Sequence, residues 1–578
     1  MKIRLIAIFI FPSLVQAQFH DNTWVLGYSN NADTTDRFGI SVITFFDENI
    51  NIVQNTDVFF NFSSTNASYS DSLGRLQSFS NGLHIGNKEW GIMNNGEFIS
   101  TEYSEAIGAI WPQYNIAIPQ PGNSINHLYL YQKDDYLPVL GACAKQLSYA
   151  IVNMDSSSGL GTVVTRDSLI VADTLFLGNV TTTQHANGRD WWILMNEINS
   201  NRYYRFLMTP MGVKEYPNQI IGTPVFEGVG QTCFSPNGLH YAIFNSLGAA
   251  DGNYIDIYDF DRCSGLLSNH HQFHVTDGYW GGLAFSPNSR FLYVNQQFNC
   301  WQYDMQASDL WASRKIVAEY DGFLSPYPTR FFFMQLAPDG KIYSCTTTGS
   351  NVLHVIHNPD ELGTDCNFQQ HAVTMHTNNA LSIPNHPNYR LGPIDGSPCD
   401  TVSIDNLPKA WWRYEQDTLN PLFVEFRDLS YYEPDSWHWD FGDPNSGLNN
   451  TSNERHPQHN FSSPGIFQVC LTISNSNAND TLCRALKLGS VASDNPAVIE
   501  RISVSPNPFC NHLNVSVSTN LSSPIFLIYD QMGRLVRDER LKFGVTEIET
   551  KALSKGIYFW KVKTIGEIIK SGKLIKID

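Results

Sequence analysis

The sequence predicts an all-β chain, a β-propeller of about seven blades followed by two immunoglobulin-like β-sandwiches, and three observations lead there. A turn motif returns as HANG (185–188), FSPNG (234–238), FSPNS (285–289) and LAPDG (336–340). Its Asn187, Asn237, Asn288 and Asp339 are spaced 50, 51 and 51 apart. After three of the turns comes an apolar strand, LHYAIFN (239–245), RFLYVN (290–295) or KIYSCT (341–346). Pro presets φ, while Asn and Gly tolerate positive φ, so the motif makes a turn. A fixed period of this length in an all-strand region is the signature of one four-stranded blade per repeat. The third observation is composition. Charged residues are 16% of 578 and aromatics 13%, a balance that suits strands and turns with a polar, weakly charged surface.

Each element follows in order. Lys2 and Arg4, the apolar LIAIFIFPSLV and the small-residue site Val15-Gln16-Ala17 read as a secretory signal peptide over 1–17, cleaved between Ala17 and Gln18. The apolar run is too short to span a bilayer as a helix, and no later stretch is long enough, so the mature chain is expected to have no transmembrane span. Residues 18–390 are assigned to the propeller. Counting back about two periods from Asn187 reaches Asn81-Gly82, with one degenerate blade between, and WVLGY (24–28) and ISVITFF (40–46) supply a further blade. Six or eight blades remain open. In the clearest repeat QTCFS (231–235) is the inner strand, LHYAIFN the second, YIDIYDF (254–260) the third and HQFHV (271–275) the outer one. The ring is expected to close by pairing a strand from one end with strands from the other, because closure removes exposed edges. Residues 391–401, LGPIDGSPCDT, and 491–501 read as linkers between the propeller, a sandwich at 402–490 and a second one at 502–578.

Charge separates these parts. Residues 18–500 carry 23 Lys/Arg against 48 Asp/Glu, whereas 501–578 carry 12 against 7. An acidic main body excludes nucleic acid as its partner. The basic tail is a module of its own.

The motifs carry resemblances. HANGRDWWILM, FSPNG with IDIYDFDRCSGLL, and LAPDGKIYSC resemble blades of a propeller common in secreted Bacteroidetes proteins, which implies an exported location and transfers no catalytic residue. WHWDFGDP (437–444) with HPQHNFSSPGIFQVCLTISN (456–475) resembles a PKD domain, which implies a spacer or a polysaccharide contact. Trp437, Trp439 and Phe441 alternate and should face its core. Asp440 and Asp443 are candidate calcium ligands there, although a structural turn fits the motif better. Residues 502–578 resemble the type A sorting domain read by the type IX secretion system, through VSPNPF (504–509), IYDQMGRLV (528–536), LSKGIYFWKV (553–562) and GKLIKI (572–577). The matching positions include Pro506, Asn507, Pro508, Gly533, Gly556, Tyr558 and Lys573. The resemblance implies that the secretion machinery is a partner of this segment, and that the chain is released or attached to the cell surface.

Candidate chemistry is sparse. There is no H-E-x-x-H, G-x-S-x-G, Walker loop, G-x-G-x-x-G or C-x-x-C, so no cofactor, zinc or catalytic residues are assigned. His354/His357 and His271/His274 point to opposite strand faces, and His270 and His274 would sit too far apart to share a metal. The acidic run Asp251, Asp256, Asp259, Asp261 reads as a solvated strand edge. Trp191-Trp192, Tyr203-Tyr204, Tyr279-Trp280, Trp301 and Trp411-Trp412 offer rings that could leave the core and stack on sugars, though inter-blade packing is the commoner use of such rings. Among ten cysteines, Cys470 and Cys483 fall opposite each other across a short hairpin, within disulfide reach.

Three functions fit: an exported binding or adhesion protein taking a polysaccharide or a surface protein, a polysaccharide hydrolase or lyase built on the propeller, or a structural component of the surface or gliding apparatus. Asp followed by Ser or Thr and an apolar residue recurs at Ser72, Ser168, Thr174, Thr401, Thr418 and Thr481, and resembles the O-glycosylation site of exported Bacteroidetes proteins. An intact mass of the exported chain above that of its bare sequence is the expected result. A mass equal to the bare chain would remove the glycosylation reading.

Overall fold

The computed structural model describes residues 19–28, 38–45, 50–55, 60–97, 99, 108–137, 141–225, 229–246, 253–275, 280–417, 419–488, 502–506, 509–517, 524–530, 534–542, 544–564 and 567–577. The cleavage site Ala17/Gln18, the sorting-motif positions Asn507, Pro508 and Gly533, and Thr418, Asp251 and Tyr279 lie outside the described residues.

Seven antiparallel sheets follow one another from Thr23 to Asn379. Blade one is Thr23–Tyr28, Gly39–Thr44 and Asn51–Asn55. Blade two is Ala67–Ser70, Leu76–Ser80 and Ile85–Asn87. Blade three is Asn115–Pro119, Asn126–Leu137, Gly141–Asn153 and Thr162–Leu175. Blade four is Thr181–Gln184, Trp191–Asn196, Ser200–Thr209 and Gly212–Val225. Blade five is Val229–Phe234, His240–Ser246, Asn253–Asp261 and Leu266–Val275. Blade six is Gly282–Phe285, Phe291–Gln296, Asn299–Asp304 and Lys315–Glu319, and blade seven is Phe331–Leu336, Ile342–Thr346, Ser350–Ile356 and Phe368–Asn379. In every sheet each strand pairs with the next in sequence.

The recurring Asn and Asp form the turns by accepting backbone N–H groups two or three residues on, as short polar side chains do. Asn187 Oδ1 accepts from Arg189 N and Asp190 N. Asn237 Oδ1 accepts from Leu239 N, Asn288 Oδ1 from Arg290 N, and Asp339 Oδ1 from Lys341 N. The placing of Asn81 is corrected. Asn81 makes the same turn with Leu83 N and His84 N, but between the second and third strands of blade two. The equivalents of Asn187 are Asp71 in blade two and Asn123 in blade three, which accept from Leu73 N and Ile125 N respectively.

Apolar packing runs round the whole ring. Val25 and Ile40 meet Phe62 and Phe79, and Tyr69, Tyr129 and Trp191 join blades two to four. Trp192 packs with Tyr258, Phe244 with Leu292, and Tyr293 with Ile342. Trp24 and Leu26 of blade one share a cluster with Leu353 and Val355 of blade seven. The expected closure by a shared strand is corrected here: no ladder joins the first and last sheets among the described residues. Instead the coil after Asn379 turns inward. Leu381 N donates to Ser63 O and Asn385 N to Asn66 O. Pro384 and Pro387 lack the N–H that a ladder needs, so the segment holds by isolated bonds.

The second domain is a sandwich of Trp412–Gln416, Phe423–Asp428 and Gln458–Asn460 against Thr451–Ser452, Ser436–Asp440, Gly465–Ser474 and Asn479–Leu488. Trp412, Phe426, Trp439, Phe441 and Leu471 fill its core, with Trp437 half-buried at its margin. Cys470 faces Cys483 in register and is bonded to it, with Cα atoms 4.0 Å apart.

Residues 391–401 are fastened to the propeller. Ile394 N donates to Ala186 O, the buried Arg262 guanidinium donates to Gln184 O and Gly392 O, and Cys263 is bonded to Cys399. The chain separates into two compact units, 1–488 and 489–578. The second unit is a sandwich of Ile502–Ser505, His512–Val517 and Gly544–Glu549 against Leu535–Arg540, Ile525–Tyr529, Gly556–Thr564 and Glu567–Lys576. Phe509, Val515, Phe526, Trp560 and Val562 form its core.

The Cys263–Cys399 bond spans 136 residues, and a loop that long gains most from being closed. Cys399→Ser is expected to lower unfolding stability by about 2–5 kcal/mol and to open 391–411 to trypsin. An unchanged melting midpoint and digestion pattern would show that Arg262 holds the segment alone.

Candidate functional site

The axis of the ring is crossed by three carboxamide side chains. Gln231 Oε1 accepts from Leu283 N and Met334 N at 3.0 Å each, and its Nε2 donates to Met334 O. Gln113 does the same for Thr232, accepting from its N at 2.7 Å and donating to its O at 2.9 Å. Gln113 Nε2 also donates to Asn385 Oδ1 at 3.1 Å, and Asn385 Nδ2 donates to Asn115 O and Val180 O. Together with Asn385 N on Asn66 O, these bonds tie blades two to seven across the centre, where Gln113, Gln231 and Asn385 line a cavity.

The end bearing the Asn and Asp turns meets the second domain. Arg413 donates to His357 O at 3.0 Å, Lys341 pairs with Glu415 at 2.9 Å and Arg427 with Glu361 at 3.5 Å. Phe19 packs edge-on against Trp411 at 5.0 Å. A cavity of about 450 Å³ remains between them. Its Arg390 holds Asp21 through two bonds of 2.7 and 2.8 Å, and its Arg455 holds Asp428 at 3.0 Å. Burial pushes the Asp428 and Asp360 carboxyls up. Burial also opposes the charge on Glu415, but Arg413 and Lys341 hold its carboxyl down at about 2. Glu415 and Glu361, which bridge the domains, are each committed to a cation, Asp21 and Asp428 to one within their own domain, and Asp360 accepts from Asn288 N.

Beside it lies a second cavity of about 420 Å³, lined by His20, Tyr69, His127, Trp191 and Tyr389. Tyr69 is stacked between His20 and His127, at 4.4 and 4.2 Å. His127 Nε2 meets Ser78 Oγ at 2.7 Å, and Ser78 Oγ meets Tyr129 OH at 2.9 Å. His386 Nε2 donates to Ser68 O at 3.0 Å. Burial lowers His20 and His386 to about 4 and His127 to about 3.

At the opposite end a small hairpin, 323–329, stands between blades six and seven. Leu324 bridges Pro328, Ser325 N donates to Tyr327 O, and Thr329 N donates to Phe323 O. Phe323 is 46%, Leu324 59% and Tyr327 60% exposed, and Phe298 on the adjoining turn is 42% exposed. His371 backs the Phe323 ring at 4.2 Å, and the Arg330 guanidinium lies 4.7 Å from the Phe298 ring. Ser325 Oγ donates to Asn351 Oδ1 and Asp321 N to Gln370 Oε1, so amides border the rings.

The aromatics singled out in the sequence serve packing, the commoner use of such rings. Trp191, Trp192, Tyr203, Tyr204 and Trp412 are buried, and Trp280, Trp301 and Trp411 half-buried. They fill the contacts between blades and within the sandwich. Two of the rings that do reach solvent, Phe323 and Tyr327, lie in DGFLSPYPTRFF (321–332), whose signal is an apolar stretch bracketed by Gly and Pro. The solvated-edge reading of Asp256 is corrected. Asp256 is buried, held by His270 at 2.7 Å and Gln272 at 3.0 Å, and burial raises its carboxyl. Asp259 pairs with His240, and Asp261 accepts from Cys263 N and Ser264 Oγ.

Asp440 accepts from Gly442 N and Asn450 Nδ2, and the buried Asp443 accepts from Ser462 N and His459 Nε2. Ser462 Oγ donates to the other oxygen of Asp443, so both oxygens are spent on fastening the 440–443 turn to residues 459–462. Thr401 and Thr481 are exposed, while Ser72, Ser168 and Thr174 are half-buried. In the second unit Gly556 opens its strand at φ +151°, the Tyr558 hydroxyl donates to Ser554 O, Lys573 is exposed on the last strand, and the Ser505–Pro506 peptide is cis.

Residues 503–577 match the family described as the secretion system C-terminal sorting domain, and residues 416–486 match the PKD domain. The chain carries a PKD domain and a type IX sorting domain. It is accordingly exported across the outer membrane by type IX secretion, to the cell surface or beyond. Among the described residues no helix is long and apolar enough to cross a membrane. No curated protein matches the chain. Solved structures that resemble it include the periplasmic gluconolactonase PpgL of Pseudomonas aeruginosa, 11% identical with a TM-score of 0.30 over 73% of this chain and 98% of its own. Hydrazine synthase of Kuenenia stuttgartiensis is 13% identical, with a TM-score of 0.33 over 61% of this chain and 99% of its own. Sqt1 of Chaetomium thermophilum, bound to the N-terminus of ribosomal protein L10, is 14% identical, with a TM-score of 0.31 over 60% and 86%. The propeller assignment rests on the seven sheets themselves.

The buried histidines give the propeller a pH limit. A histidine whose folded pKa is lowered binds its proton in the unfolded chain first, so its contribution is intact above about 6.5 and is lost as pH falls toward the folded value. His20, His127 and His386 should each cost about 1.4 kcal/mol per pH unit in that window. Melting midpoints are expected to fall steadily from pH 6.5 to 4.5, less so in His127→Gln. A midpoint flat across that range would contradict the neutral, buried imidazoles.

Proposed function

We propose that this exported chain is a surface binding or adhesion protein that takes a polysaccharide on the end of the propeller remote from its PKD domain. The supporting observation is the contrast between the two ends. One has its turns occupied by the PKD domain, and the channel behind it is crossed by Gln113, Gln231 and Asn385. The other presents Phe298, Phe323 and Tyr327 to solvent on a hydrogen-bonded hairpin. Exposed rings with fixed backing are a ready surface for the apolar faces of sugars, and the bordering amides suit their hydroxyls. Asp21, Glu361, Glu415 and Asp428 at the covered end are ion-paired, which speaks for binding over glycoside hydrolysis, a reaction that needs two carboxyl groups free to exchange protons and attack. A purely structural role at the surface would leave these rings without use. In this reading residues 18–390 present the ligand, 402–490 act as spacer and 502–578 as export address.

Affinity electrophoresis of the exported chain through gels cast with plant, algal and host polysaccharides tests it. Retardation is expected in at least one gel, and Phe323→Ala with Tyr327→Ala should weaken it by about tenfold per ring. Migration unretarded in every gel, or retardation indifferent to both substitutions, would move the assignment to a protein ligand or a structural role.

A further inference from the structure

The sorting domain breaks a rule on one of its two sheets only. An antiparallel sandwich buries the inward half of each strand and turns the other half to water, so the outward half should be polar. The sheet containing His512–Val517 and Gly544–Glu549 obeys. Leu513, Val515 and Ile548 are buried, while His512, Asn514, Ser516, Glu547 and Glu549 face out, with Val545 the one large apolar residue among them. The sheet containing Ile525–Tyr529 and Gly556–Thr564 does not. Phe526, Ile528, Tyr558, Trp560 and Val562 form the core, and the alternate positions are again apolar: Ile525, Leu527, Tyr529, Ile557 and Phe559.

Register gathers these into a patch. Tyr529 lies opposite Leu535 on one side and Phe559 on the other, and Phe559 lies opposite Lys573, so one row across four strands reads Leu535, Tyr529, Phe559, Lys573. The next row sets Leu527 between Asp538 and Lys561, and the next sets Ile525 between Arg540 and Lys563. Ile557 lies opposite Ile575. Phe559 is 46% exposed, and the Lys561 ammonium lies 5.5 Å from the Tyr529 ring. The face therefore has an aromatic and aliphatic centre with a margin of net positive charge, Arg540, Lys561, Lys563 and Lys573 against Asp538, in a segment that is basic where the rest of the chain is acidic.

We infer that this outward face, centred on Tyr529 and Phe559 and bordered by Lys561 and Lys573, is where the sorting domain docks on the export machinery, in a protein groove apolar at its floor and acidic at its rim. The charge of the margin selects an acidic partner. The doubly apolar sheet requires something to cover it, and the segment's part in export supplies the occasion. This inference is independent of what the propeller binds.

The test uses the full chain in a type IX-competent host, with the fraction outside the outer membrane measured against the fraction retained. Tyr529→Ser with Phe559→Ser, and separately Lys561→Glu with Lys573→Glu, should each cut the exported fraction at least tenfold. Val545→Ser on the other sheet should leave it unchanged. Melting curves of the purified chains report folding, and the lysine pair, lying at the margin, keeps the test open should the aromatic pair fail to fold. Normal export of both folded variants would overturn the inference. So would normal export of the lysine variant with lost attachment to lipopolysaccharide, which would assign the face to that anion. Normal export of the aromatic variant together with loss of a dimer would assign it to a second copy of the chain.

Discussion

A propeller blade cannot hydrogen-bond to its neighbour through a ladder, because adjacent sheets meet face to face. The inner strands still carry backbone groups with nothing beside them, and buried groups of that kind must find partners. Here the partner is a primary carboxamide, which presents one donor and one acceptor in the spacing of a peptide. Gln113 pairs with both groups of Thr232, and Gln231 with both groups of Met334. The device recurs farther out, where Gln132 meets Gly178, Gln219 meets Leu267 and Gln302 meets Gly363. Asn385 brings the coil after the last blade into the same scheme. Apolar clusters supply the attraction between blades, and the amides fix the alignment. The bridged axis follows from this, and with it the division of the molecule into a covered end and a presenting end.

The covered end is held by charge where the ring is held by amides. Lys341 with Glu415 and Arg427 with Glu361 cross from one domain to the other, and Arg390 with Asp21 and Arg455 with Asp428 pair within the propeller and the PKD domain beside that seam. Such pairs fix geometry more than they add stability, since desolvation offsets much of the attraction. The Phe19 ring and the Arg262 guanidinium complete the seat. The PKD domain is thereby oriented on the propeller, not merely tethered to it.

Local features were legible in the sequence. Asn237, Asn288 and Asp339 could be read because an Asx turn needs only the residues within three positions, and Cys470–Cys483 because a short hairpin fixes its own register. The sorting domain's strands carried their motifs in order. What escaped was decided by distant contacts. Gln113 and Thr232 are 119 residues apart, Asp21 and Arg390 are 369 apart, and nothing periodic marks either pair. Asn81 was misplaced because the same turn chemistry serves both ends of a blade. The exposed rings escaped because aromatics at regular strand positions are spent on packing, whereas those of the 323–329 hairpin stand outside the repeat.

The Cys263–Cys399 bond also decides how the molecule carries load. A pull on the PKD domain enters the propeller at residue 399 and passes through the sulfur atoms to residue 263 in blade five. Everything between those two positions lies on a closed branch of the covalent path. That branch includes blades six and seven, Phe298, and the hairpin with Phe323 and Tyr327. Tension between a tethered end and a ligand held on that face would therefore reach the hairpin by two covalent routes at once, back from residue 399 and forward from residue 263, so that each stretch of backbone carries only part of the load.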